Sequence, residues 1–200
     1  MAFPKPAMDA TMVIPDHKQH RMKAQEPFSG VRTLFKNLNG PRHKQAIQVF
    51  MMIFLAHLAD HLLQVYQVYV LKFPESHSHG LLVQLLPGPI TPETTEWFHH
   101  GFAFIMLTGL AVLARGFTDQ ARRWWNIALA IQIWHFFEHT LLTIQVVLQT
   151  NLFGSSVPMS ILQLVIPRVE LHAFYTGIVF IPMALAILYE FAPPLKRRSY

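Results

Sequence analysis

Apolar residues in this chain are gathered into four blocks rather than spread at a helical or strand period. The blocks cover about residues 46–71, 97–114, 124–148 and 169–191. Each approaches or exceeds the roughly 20 helical residues needed to cross a hydrocarbon core. Unpaired backbone groups find no partner in lipid, so each block is predicted to be an α-helix. The expected fold class is therefore an all-α integral membrane protein, a four-transmembrane-helix bundle.

The segments between the blocks add a second level of order. "LLVQLLP" (81–87) and "ILQLVIP" (161–167) are each too short to span and end at proline. They are expected to form short amphipathic lid segments at the outer interface. Each is soon followed by a carboxylate and a histidine at the head of the next block, in "EWFHHGF" and "ELHAFY". The blocks before them carry "HLADH" and "HFFEH". A spacing of 78 residues carries His57 to His135, Asp60 to Glu138, His61 to His139 and Gln67 to Gln145. The chain thus reads as a tandem two-helix repeat, about 46–115 and 123–192. Two spans per unit make both copies insert the same way, about an axis along the membrane normal.

Charge gives the direction. Lys5, Lys18, Arg21, Lys23, Arg32, Lys36, Arg42 and Lys44 precede the first block. Arg115, Arg122 and Arg123 lie between the second and third, and Lys196, Arg197 and Arg198 follow the last. The other two connections hold only Lys72 and Arg168. By the positive-inside rule both termini are cytoplasmic, as expected in a bacterial inner membrane. This placement accounts for the net charge of +5, and no nucleic-acid partner is needed to explain it. The first 45 residues show no apolar signal region, so the first helix is expected to direct insertion. Residues 1–45 form a polar, proline-containing cytoplasmic arm, with "PFSGVRTLF" as a short amphipathic piece. The arm is too polar to fold alone and is expected to dock other membrane subunits. Residues 46–192 are the membrane domain, and 193–200 a cytoplasmic basic tail.

The chemistry lies inside the blocks. His57, Asp60, His61, Gln64 and Gln67 share one face of the first helix; Gln132, His135, Glu138, His139 and Gln145 share one face of the third. A polar stripe on a span faces the bundle interior, because lipid contact costs several kcal/mol per group. Glu96, His99 and His100 enter the second helix from outside, as Glu170 and His172 enter the fourth. On a regular helix Glu170 points roughly 200° from His172, so it sits in an unwound first turn or serves another purpose. These eleven residues, His57, Asp60, His61, Glu96, His99, His100, His135, Glu138, His139, Glu170 and His172, are the candidate metal ligands.

Imidazole pairs at i and i+4 bind one ion from a single turn, and neighbouring carboxylates ligate or orient them. With no cysteine in the chain, the donor set favours iron or copper, with zinc possible. The logic is similar to that of soluble di-iron carboxylate bundles. The box spacing also resembles the short His boxes of membrane alkane hydroxylases and desaturases, which surround a di-iron centre. That likeness covers only the boxes; the ligand mix, the paired lids and the repeat depart from it. The leading expectation is a metalloprotein subunit of a larger membrane redox or oxygenase complex. Alternatives are a haem- or chlorophyll-binding subunit, a transporter or proton relay, and a structural subunit with a buried polar network. His77 and His79, the arm histidines His17, His20 and His43, and the "RRWW" anchor (122–125) are assigned to surface or interface.

Overall fold

A computed structural model of the protein describes residues 28–85 and 87–192. The arm up to residue 27 and the tail 193–200, with their basic residues, His17 and His20, lie outside the described residues. The elements are α1 (Ser29–Leu38), α2 (His43–Tyr69), α3 (Pro92–Leu113), α4 (Asp119–Leu148) and α5 (Arg168–Phe191). Four of them, α2 to α5, are long and apolar enough to cross a membrane. No strand occurs among the described residues.

The helices run up, down, up and down. Tyr69 at the end of α2 donates its hydroxyl to Glu170 at the start of α5. At the opposite end, the Thr118 backbone N–H donates to Glu190 near the end of α5 at 3.0 Å. Helix α4 packs most extensively on α3 and α5, while α2 closes the ring mainly against α5.

All four spanning helices begin ahead of their hydropathy blocks, α3 and α4 by the most. Thr91 accepts the Thr94 backbone N–H and Thr94 returns the bond, a capping box followed by Pro92 in the first turn. These satisfy orphan N–H groups and start α3 ahead of its apolar run. In α4 the first turn takes in Arg122 and Arg123, which the sequence assigns to the link. Arg122 folds back to donate to the carbonyls of Phe117 and Arg115, at 2.9 and 3.0 Å.

At the α1 end the core is apolar: Ile47, Phe50, Phe54, Met106, Leu110, Phe117, Trp125 and Met183 all belong to it. Two surface assignments are corrected here. Trp125 is fully buried, stacks on Phe117 at 4.2 Å and donates its indole N–H to the Leu110 carbonyl at 2.8 Å. An amphipathic indole faces inward when a carbonyl awaits its N–H. His43 is also buried, edge-on to Phe117, with Nδ1 3.0 Å from the Leu38 carbonyl. Its ring lies against Gly116, where a Cβ would overlap it. Helix α1 matches the amphipathic piece read from sequence. Its Phe28, Val31 and Leu34 are exposed, Asn39 beyond its end donates to the Val112 carbonyl at 2.8 Å, and Arg115 lies over the Phe35 ring.

Candidate metal centre

Above the apolar core, toward the long connections, the bundle interior turns polar. His57, His61, His99, His135, His139 and His172 are all buried, on four different helices. Their rings form one continuous cluster. His61 stands 5.8 Å from His99 and 5.5 Å from His172, centroid to centroid. His139 lies 5.9 Å from His99 and 5.0 Å from His172. Within each box the i, i+4 pair touches: Nε2 to Nε2 is 3.0 Å for His57 and His61, and 3.0 Å for His135 and His139.

Hydrogen bonds orient these rings. The His99 Nδ1 lies 2.8 Å from the Thr95 carbonyl, and the His172 Nδ1 lies 2.7 Å from the Arg168 carbonyl. A carbonyl only accepts, so in the neutral ring Nδ1 carries the proton and Nε2 keeps its lone pair. His61 is fixed by a relay. Gln64 spends its amide N–H on the His79 carbonyl at 3.3 Å, which turns its oxygen to the His61 Nδ1 at 3.4 Å. His61 therefore offers Nε2 as acceptor, and the proton between the box nitrogens belongs to His57. That leaves the His57 Nδ1 buried without a partner, as are Nδ1 of His135 and His139.

The first ring of each box, the one nearer the apolar core, leans on an aromatic. His57 stacks on Phe102 at 4.6 Å and 11°, and His135 stacks on Tyr175 at 4.5 Å and 15°. Phe102 follows His99 by one turn, as Tyr175 follows His172.

The carboxylates turn elsewhere. Asp60 Oδ1 accepts the backbone N–H groups of Leu81 and Leu82 at 2.5 and 2.9 Å. Glu138 accepts the Leu162 N–H at 3.0 Å and the Ser160 hydroxyl at 3.1 Å. Gln67 accepts the Gly80 N–H at 3.2 Å; Gln145 accepts those of Leu152 and Met159 at 2.9 and 3.2 Å. Both boxes therefore tie the connection that follows their helix down over the cluster. Gly80 has φ +71°, and a Cβ there would meet the Asp60 carboxylate, so glycine is required on both counts.

Glu96 pairs with Arg168 across α3 and α5. Glu170 takes the second of its two predicted courses: α5 is regular from Arg168, and the carboxylate turns out to Tyr69. His100 lies outside the cluster, against Phe136 at 5.0 Å. His77 is exposed, and His79 contributes its carbonyl to Gln64.

The structure thus gathers six of the eleven candidates and sends four carboxylates and His100 to other partners. Sequence reading missed Arg168 and Phe102. Their signal was position: one turn before His172, and one turn after His99. Among the described residues, no group of three or more His, Asp or Glu is already arranged to hold a metal ion. The box nitrogens face one another, Asp60 and Glu138 face the connections, and Glu96 and Glu170 pair with Arg168 and Tyr69. Compared with known protein families, characterised proteins and solved structures, the chain matches none.

Proposed function

We propose that the protein is a membrane metalloprotein whose centre is bound by the six-histidine cluster, in the outer half of the bundle. One observation carries the reading. Six buried imidazoles converge from four helices, and three of them (His61, His99 and His172) are held by Nδ1 so that Nε2 keeps its lone pair. Fixing the remote nitrogen is how proteins prepare a histidine ligand. The spacing fits as well. Two nitrogens about 2.0–2.1 Å from one ion at a tetrahedral angle stand about 3.3 Å apart. The box nitrogens stand 3.0 Å apart. An ion replaces each Nε2 contact with two coordinate bonds, once the proton shared there moves to the neighbouring Nδ1.

An all-imidazole donor set without sulfur favours iron or copper, with zinc possible. Asp60 and Glu138 act on the connections in this reading, and ligation falls to imidazole. A haem or chlorophyll is less well accommodated, because rings from four helices crowd one point and leave no plane for a macrocycle. A proton or ion relay meets the apolar layer of Phe54, Met106, Leu110 and Trp125 beneath the cluster.

The same geometry supports an ancestral duplication. The 78-residue spacing relates the two boxes, and a 73-residue spacing relates Thr95, His99 and Phe102 to Arg168, His172 and Tyr175. Under it Glu96 answers to Val169, so Glu96 and Glu170 are not counterparts. Positive-inside charge supports a cytoplasmic α1 end, as in a bacterial inner membrane, with the two connections as outer lids. The arm docks the subunits of a larger redox or oxygenase complex.

Elemental analysis and an absorption spectrum of protein purified from membranes test the central claim. Stoichiometric metal, lost in His61→Ala/His139→Ala with the fold intact, is expected. Absence of metal, or full retention in that variant, overturns the reading and leaves a hydrogen-bonded structural network.

A further inference from the structure

A cavity of ≈ 340 Å³ leads into the bundle from the connection end, between α3 and α5. Its wall runs from the exposed Glu75, past Glu96 and Arg168, to the buried His99 and His172. Glu96 precedes His99 by three residues and Arg168 precedes His172 by four. The ion pair is therefore the layer one turn above two imidazoles of the cluster.

The two partners differ in freedom. The Glu96 side chain is 3% exposed and that of Arg168 is 32% exposed. Only one Glu96 oxygen takes the guanidinium; the other, Oε2, is buried without a partner, in a residue that lines the cavity. A buried carboxylate oxygen left unpaired costs free energy, and a cation reaching it recovers that cost. Arginine's guanidinium is always charged and sits on a long, flexible stem, so it can leave for water while Glu96 cannot.

We infer that the Arg168–Glu96 pair is a displaceable plug on the loading route of a divalent cation. This rests on the metal reading above. The arriving cation first meets Glu96, takes the place of the guanidinium, and passes one turn down to His99 and His172. The exchange places two positive charges where the guanidinium held one, and the released guanidinium turns to water at the mouth of the cavity. Glu96 is then a relay that guides the ion, and no permanent ligand.

Co²⁺ is a suitable probe, since its visible bands report binding to imidazole nitrogen. Full-length protein in detergent is stripped with a chelator and mixed with Co²⁺, and both rate and final occupancy are read. Glu96→Gln is expected to slow loading roughly tenfold, as removal of one guiding charge allows. Arg168→Lys keeps the charge but replaces the guanidinium with a shorter-reaching ammonium, and is expected to load several-fold faster. Arg168→Met loads faster still; should its unpaired Glu96 prevent folding, Arg168→Lys decides. All folded variants are expected to reach the wild-type occupancy. Wild-type rates in both Glu96→Gln and Arg168→Lys, with normal occupancy, overturn the plug and leave the metal centre standing. Reduced final occupancy in Glu96→Gln makes Glu96 a ligand and also overturns it. A wild-type protein that takes up no Co²⁺ overturns the metal centre and the plug together.

Discussion

Asp60, buried in α2, accepts the backbone N–H of Leu82 at 2.9 Å and so anchors the connection that follows its own helix. Glu138 repeats the relationship with Leu162 at 3.0 Å. Hydrogen bonds to an ionised group are worth about 1.5–3 kcal/mol each. Asp60→Leu and Glu138→Leu are expected to free their connections. Amide exchange at Leu81 and Leu82, or at Leu162, should accelerate by one or more orders of magnitude. Unchanged exchange together with lost metal would identify the carboxylates as ligands instead of anchors.

The histidines divide into two groups with different expected outcomes. His61→Ala and His139→Ala are each expected to lower bound metal sharply and to similar extents. His100→Ala and His77→Ala are expected to leave it unchanged, because one ring packs on Phe136 and the other is exposed. Metal content per folded protein is the measurement. Loss in His100→Ala equal to that in His61→Ala would require a different arrangement of α3.

Sidedness can be read cleanly because the sequence contains no cysteine. His77→Cys and Thr150→Cys are expected to react with an impermeant maleimide added outside intact cells. Gln120→Cys is expected to react only after lysis. The three positions are exposed and lie in the two long connections and the first turn of α4. The reverse labelling pattern would invert the topology and the sidedness of the proposed centre.

Two glycines separate steric need from helix propensity. A Cβ at Gly116 meets the His43 ring, whereas one at Gly30 in α1 meets nothing within 4 Å. Gly116→Ala is expected to destabilise the protein by about 1–3 kcal/mol through overpacking. Gly30→Ala should stabilise α1 by about 0.5–1 kcal/mol. Thermal unfolding in detergent compares them; equal effects would remove the His43 contact from the argument.

The arm offers a test of assembly. Deleting residues 1–27 leaves α1 and the bundle contacts of Asn39 and Arg115 in place. Subunits that co-purify with the full chain are expected to be released, with the spectrum of the four-helix core unchanged. Retention of every partner would move the docking surface onto the helices.

Sequence alone determined four long apolar helices and the faces they bury. Lipid cannot solvate backbone or imidazole, so a stripe of His57, Asp60, His61, Gln64 and Gln67 at helical spacing must turn inward. It also determined that two such stripes exist. Tertiary structure decided what each polar group does once inside. Which of His99 and His100 faces the cluster depends on the rotation of α3, a property of packing that neighbouring residues in a sequence share equally. The partners of Asp60 and Glu138 are backbone N–H groups of folded-back connections, and backbone donors carry no residue type to read. Arg168 and Glu96 meet across 72 positions, and only the approach of two helix ends in space makes them a pair. The buried place of Trp125 was decided the same way, by a single carbonyl on a neighbouring helix that gave its N–H a partner.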